Sequence, residues 1–252
     1  MRRRQPARTP APEGHPQGES AVGQVFDSVL RSIEGLSAQV VEVVRAASGR
    51  GARPARDELA PVRREVFRIL REHAPLVTGS GFVAAPDLLS DAPLWLEWWQ
   101  AGEGGDPERL VVDLDPASRG FYDYTGRPWF TVPDRTRGPN MHGPYVDYHG
   151  TDQYILTMST PVLEGETFLG ITGADLYLRT VEKTVLPLLP PGGILLNAQG
   201  RVIISRSARH VTGALLRRLD LATVERTGAP VAVPGGGTLA RCGELRLYLL
   251  TP

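Results

Sequence analysis

The stretch Phe121-Tyr122-Asp123-Tyr124-Thr125-Gly126-Arg127-Pro128-Trp129-Phe130 crowds aromatic groups around one arginine. Trp129 brings an indole N–H and a broad apolar face, and Tyr122 and Tyr124 bring hydroxyls. Arg127 brings a planar fork that matches a carboxylate. These are the residue types a cage for a small zwitterion or cation requires. Aromatics are also the ordinary filling of a core, and an arginine often pairs with a neighbouring acid. On residue types alone the core reading is the commoner one, and both stay open at this point.

Other groups carry less. His142 and His149, with Asp147 and Asp152, lack a recognised ligand spacing, so no metal site is expected. Asp113 and Asp115 form a carboxylate pair, but Pro116 and the turn context point to capping. Gly192-Gly193 and Gly235-Gly236-Gly237 lack the strand-loop-helix frame of a phosphate cradle. No G-x-S-x-G elbow is present. Cys242 falls in an expected strand and reads as structural. Without a nucleophile–base pair or a cofactor motif, the expectation is a protein that is not an enzyme and carries no cofactor.

The elements that must position the cage follow from periodicity. Val22, Phe26, Val29, Ile33, Leu36, Val40, Val43 and Ala47 recur at steps of four and three, which predicts a long helix with a heptad stripe. That stripe either packs on its own domain or pairs with a second copy in a homodimer. Gly49 and Gly51 end the helix. A second helix is expected after Pro54, with Asp57 as N-cap and Leu59, Val62, Val66, Ile69 and Leu70 inside. Its arginines alternate with Glu65 and Glu72, the pattern of a solvated, salt-bridged face.

From Leu76 the period changes. Strands are expected at Val77–Val83, Trp95–Trp99 and Leu110–Leu114, and at Gln153–Val162 and Thr167–Asp175, which a short link through Gly165 joins as a hairpin. Successive antiparallel strands without a crossover helix exclude a parallel doubly wound sheet. A helix from Leu176 to Leu189 stops at Pro190-Pro191. Beyond it a hairpin around Asn197–Gly200, a helix near 213–225 and further strands read as a small PAS-like module. The expected organisation is a disordered tail over 1–20, N-terminal helices over 21–75, a ligand-binding module over 76–190 and a small module over 191–252.

The chain has 252 residues, with 28 basic side chains balancing 28 acidic ones. That balance provides no global field for nucleic acid or an anionic membrane. One cysteine excludes an intrachain disulfide. No run approaches the roughly 18 apolar residues of a membrane span, and the basic start lacks an apolar signal core. The expectation is a soluble, cytoplasmic protein.

The order of motifs resembles the Cache family of sensory domains. The carrying residues are Tyr122, then Arg127-Pro128-Trp129-Phe130, then Gly143-Pro144-Tyr145-Val146-Asp147, then Thr160-Pro161-Val162, then Phe168 through Asp175. The arrangement covers about residues 21 to 250 and is sharp from Tyr122 to Asp175. The resemblance implies an α+β fold, a long N-terminal helix with PAS-like antiparallel sheets, of double Cache type with a small second module. It is similar to the amino-acid- and amine-binding subset, which implies a site of Tyr122, Arg127, Trp129, Tyr145 and Asp175. In that carry-over Arg127 and the Trp129 indole hold a carboxylate with help from Tyr122. Asp175 faces an ammonium, with the Tyr145 hydroxyl completing its hydrogen bonds and the aromatic faces adding cation–π attraction. Phe130 departs from the family, which carries Tyr there. The expectation from the sequence is a domain without a membrane anchor and without a kinase, cyclase or methyl-accepting segment. The resemblance therefore implies a soluble sensor or binding protein for a small amino acid or amine. Its signal would pass to a partner such as a transcription regulator or transporter. The alternative is a dimeric scaffold that has kept the Cache shape and lost its ligand.

Overall fold

The heptad spacing forms one helix, α1 (Pro16–Ser48), in a computed structural model that describes residues 16–102, 104–148 and 153–252. The tail expected over 1–20 lies outside the described residues as far as residue 15. From residue 16 the chain is already helical, because proline is tolerated in a first turn and an established helix extends cheaply. Val22, Phe26, Val29, Ile33, Leu36, Val40 and Ala47 are all fully buried. Val44 rather than Val43 continues this seam, as the drift of a 3.6-residue turn against a strict heptad requires. The seam packs on the sheets of its own chain and on the second helix.

The second helix, α2 (Ala60–Glu72), follows a 3-10 turn over Arg56–Leu59. Asp57, expected as its N-cap, lies inside that turn; the Glu58 carboxylate instead accepts the Ala55 N–H at 2.9 Å. Strands β1 (Val77–Ala84), β2 (Leu96–Ala101) and β3 (Pro107–Arg109) come next, then helix α3 (Pro128–Thr136). Strands β4 (Asn140–Val146), β5 (Tyr154–Glu164) and β6 (Thr167–Tyr177) complete a six-stranded sheet. Its order is β3-β2-β1-β6-β5-β4, antiparallel throughout. The strand expected at Leu110–Leu114 is absent. Leu110 N–H still reaches Trp98 O at 3.0 Å, but Asp113 then turns the chain by accepting the Asp115 N–H at 3.1 Å. Leu110, Val112 and Leu114 pack against the aromatic cluster over the sheet, so their alternation records packing and not a ladder.

Helix α4 (Leu178–Val185) leads to the second module. There β7 (Ile194–Leu196), β8 (Val202–Ser205), α5 (Leu221–Thr227), β9 (Val231–Ala232), β10 (Thr238–Cys242) and β11 (Leu247–Thr251) form a sheet ordered β8-β7-β11-β10-β9. The helix expected near 213–225 begins only at Leu221, where Asp220 caps it by accepting the Thr223 N–H at 3.0 Å. Gly213 takes a φ of +85°, and Leu216 N–H bonds to Gly200 O at 2.9 Å, which docks this stretch on the β7–β8 turn. The Asn197 side-chain amide, buried at that turn, donates to Gly143 O at 2.9 Å and ties the module to β4.

One polar contact sets the position of β2. The Glu97 side chain is fully buried on the helix-facing side. It accepts from Arg63 Nε of α2 at 2.8 Å, from Trp99 Nε1 at 2.9 Å and from Trp95 Nε1 at 3.3 Å. Every donor thereby has its acceptor, and the neighbouring Trp98 is held on the opposite face. Glu97→Ala is expected to lower the unfolding free energy by about 2–3 kcal/mol in urea titrations, the range for orphaning buried donors. Glu97→Gln, which keeps the shape, should cost less.

Candidate functional site

Strand parity selects the site. On the face away from α1 and α2, Asp175 of β6 pairs in register with Gly79 of β1 on one side and Thr157 of β5 on the other. Above this face runs the irregular segment between β3 and α3. Tyr122 N–H is fixed to Asp113 O at 2.7 Å, and the buried Tyr124 hydroxyl donates to Ala84 O at 2.8 Å. Arg127 is the N-cap residue of α3, with Pro128 as the first helical residue. Ser159 of β5 donates to Trp129 O at 2.7 Å and anchors that helix to the sheet.

Four of the five expected residues, Tyr122, Trp129, Tyr145 and Asp175, line an inner cavity of about 30 Å³. Trp98, Asp147 and Thr157 line it too, with an apolar wall of Val83, Leu96 and Leu110. Arg127 lies outside it. It borders an adjoining cavity of about 160 Å³, which shares Tyr122, Trp129, Tyr145 and Asp147 with the inner one. The guanidinium sits 5.6 Å from the Tyr122 ring centroid, and its Nε donates to Asp123 O at 3.3 Å. Among the described residues it forms no ion pair, so the simple pairing of Arg127 with a neighbouring acid is not what the structure contains. Phe130 is core: it is buried against Tyr124 and Phe168 and borders neither cavity.

Asp175 dominates the electrostatics. Its carboxyl lies deep in the fold while part of the residue's surface stays open to the cavity. Burial pushes its pKa up to about 7, the Thr157 hydroxyl pulls the other way, and Asp147 adds to the rise. Thr157 Oγ1 donates to Asp175 Oδ1 at 2.6 Å. The one Thr157 proton is thereby committed, so in the 2.8 Å contact between Tyr145 and Thr157 the tyrosine hydroxyl is the donor. Tyr145 thus acts on Asp175 through Thr157, not directly. Burial pushes the Tyr122 and Tyr145 hydroxyls well above the usual phenol range, so both remain protonated donors.

Three lining residues were not singled out from the sequence as ligand contacts: Trp98, Asp147 and Thr157. Thr157 shares strand parity with Ser159 and stands opposite Asp175, a signal that needs the register of β5 against β6. Asp147 lies two residues beyond Tyr145, at the end of the motif that carries the family resemblance, which implies no ligand contact for it. His142 borders the outer cavity, 5.1 Å from the Tyr145 ring, whereas His149 and Asp152 lie outside the described residues. Among the described residues no group of three or more His, Cys, Asp or Glu is placed to hold a metal ion. Nor is any described helix long and apolar enough to cross a membrane.

A raised carboxyl pKa has a definite sign for stability. Between about pH 4, where an unfolded aspartate ionises, and about pH 7 the native state holds a proton that the unfolded state has released. Stability due to this group therefore falls as pH rises through that window and levels off above it. Asp175→Asn is neutral throughout and its carbonyl still accepts from Thr157. Urea titrations without ligand should show it matching the parent near pH 4.5 and exceeding it by about 2–4 kcal/mol at pH 8. An equal difference at both pH values would refute the assignment.

Comparisons with known proteins agree with this architecture. Residues 109–183 match the family described as methyl-accepting chemotaxis protein-like, first PDC sensor domain. The chain is 24% identical over 123 residues to the methyl-accepting chemotaxis protein PscA of Pseudomonas syringae pv. tomato, covering 47% of this chain and 19% of that protein. It thus spans about a fifth of the length of that relative. The ligand-binding domain of the Pseudomonas aeruginosa PAO1 amino acid chemoreceptor PctC, solved in complex with GABA, superposes with a TM-score of 0.54 at 20% identity, over 93% of this chain and 94% of that one. The ligand-binding domain of PctB from the same strain, in complex with L-Arg, gives 0.53 at 16% identity, over 92% and 88%. At these identities the structural likeness establishes the fold.

Proposed function

From the premise that this chain carries a PDC/Cache-like sensor domain of chemoreceptor type, we propose that it binds a small amino acid or amine through the ammonium group and reports it to a partner. The observation that carries this reading is Asp175. A carboxylate so deeply placed, with Asp147 nearby and no ion pair among the described residues, creates a site that attracts a cation. The inner compartment, about 30 Å³, has room for a group of water size, and an ammonium group is of that size. Trp129, Tyr122 and Tyr145 line it, and aromatic side chains beside a cation favour it further. Arg127, at the outer cavity, is positioned for the carboxylate of an amino acid. PctC and PctB, which share the fold, were solved with GABA and L-Arg. The buried carboxylate also weighs against a ligand-free scaffold, because an apolar residue there would stabilise the fold at no functional loss.

The test is a thermal-shift screen of amino acids and amines followed by calorimetry, since a ligand selective for the native state raises the melting point. Asp175→Ala is expected to weaken any hit by about 2–5 kcal/mol, the range for truncating one partner of a buried charge pair. Arg127→Ala should weaken an amino acid comparably and a simple amine far less. Equal affinity of both variants and the parent would refute the site.

The same ligand gives a pH signature. Ammonium binding needs ionised Asp175, so affinity should rise about tenfold per pH unit below the midpoint near 7 and then level off. Proton release into buffers of different ionisation enthalpy checks this directly at pH 6. A flat profile from pH 5 to 8 would refute it.

A further inference from the structure

Trp98 is the one described residue with a buried side-chain polar atom that lacks a hydrogen-bond partner: its indole Nε1, in a residue only 4% exposed. A buried N–H without an acceptor costs about 1–3 kcal/mol. Such a group in a cavity wall calls for an explanation.

The surrounding backbone is shaped around this ring. Gly81 of β1 pairs with Trp98 on one side and with Gly173 of β6 on the other. A Cβ at Gly173 would meet Met158 O at 2.6 Å and the far edge of the indole at 3.2 Å, whereas one at Gly81 would run into the backbone of β2, 2.2 Å from Glu97 O and 2.7 Å from Trp98 Cα. A Cβ at Gly79 would stand 2.9 Å from Trp98 Nε1 and 3.4 Å from Asp175 Oδ2. Gly79 and Gly173, on two adjacent strands, thus leave a slot across the sheet for the indole, with its N–H at the Gly79 end, where the second oxygen of Asp175 also lies. The first oxygen already has its donor, Thr157.

We propose that Trp98 is a positioning residue for the ligand site: its indole N–H is the donor that Asp175 Oδ2 takes when the carboxylate ionises to meet a ligand's ammonium group. The proposal rests on the ammonium-binding role of Asp175 given above. It assigns the glycine slot a function, since bulk at Gly79 would push the N–H away from the oxygen. The proximity already pulls the Asp175 pKa downward against the burial that raises it, although the contact does not reach hydrogen-bond geometry. A small rotation of ring or carboxyl within the slot closes it. Thr157 and Trp98 would then hold one oxygen each, leaving the remaining lone pairs directed at the cavity.

The experiment reads the contact without ligand first. Trp98→Phe keeps an aromatic ring in the slot and removes only the donor. In carboxyl carbon NMR of the free protein, the Asp175 midpoint should move upward by about one pH unit in Trp98→Phe, because a donor to the ionised form is gone. In the parent protein one of the four tryptophan indole resonances should titrate with the Asp175 midpoint and cease to titrate in Asp175→Asn. That measurement needs no folded Trp98 variant. With n-butylamine and γ-aminobutyrate as probes, Trp98→Phe should weaken binding about fivefold at pH 7 and less at pH 8.5, where Asp175 is mostly ionised in both proteins. An unmoved midpoint, or no titrating indole in the parent, overturns the proposal even if affinity falls, since Trp98 is then only a wall. A moved midpoint in a protein that binds none of the probes establishes the Trp98–Asp175 contact and refutes the ammonium reading instead.

Discussion

A carboxylate buried without a cation is the constraint on which this structure turns. Asp175 sits on β6, between β1 and β5 in a six-stranded sheet, where water is scarce and a charge is expensive. The fold tolerates it because the local groups answer one oxygen well, through Thr157, and leave the other facing a cavity. Tyr145 extends the chain of donors by one hydroxyl. The tension left over shows in the raised pKa of this carboxyl, which holds its proton to about pH 7.

The rest of the module holds that position rigid. On the far face, the seam of α1 is buried against β5, β6, β1 and α2, and Thr172 of β6 donates across to Ile33 O at 2.8 Å. Glu97 gathers three donors and fixes β2, hence the face on which Trp98 lies. On the near face, the Tyr124 hydroxyl and Ser159 pin the segment that carries Tyr122, Arg127 and Trp129. Contacts reach the second module from both sides: Asn197 donates to Gly143 on β4, and Asp27 of α1 accepts the Glu244 N–H at 2.8 Å. A change at Tyr145 or in α1 therefore has a short covalent and hydrogen-bonded path into the second sheet.

Fold and site rest on different kinds of warrant. Likeness to chemoreceptor domains at 20% identity or below establishes the arrangement of strands and helices and leaves the ligand open. The site itself is local: one desolvated acid, a second acid lining the same cavity, aromatic side chains lining it as well and one exposed guanidinium at the adjoining cavity.

By itself the sequence determined what depends on short range. The steps of four and three from Val22, the alternation in β5 and β6 and the glycine-bearing link between them were enough for a long helix and an antiparallel hairpin, because each pattern lives within a few neighbouring residues. The resemblance to Cache domains, carried by the motifs from Tyr122 to Asp175, implied four of the residues that meet in one cavity. Tertiary structure alone decided the rest. Whether the α1 stripe faces a sheet or a second copy depends on surfaces far along the chain. Leu110–Leu114 alternates like a strand, yet Asp113 turns it out of the ladder. Thr157, Trp98 and the slot of Gly79 and Gly173 become partners of Asp175 only through the register of four strands. Desolvation, which lifts the Asp175 pKa, is a sum over all the atoms that exclude water, and no local pattern encodes it.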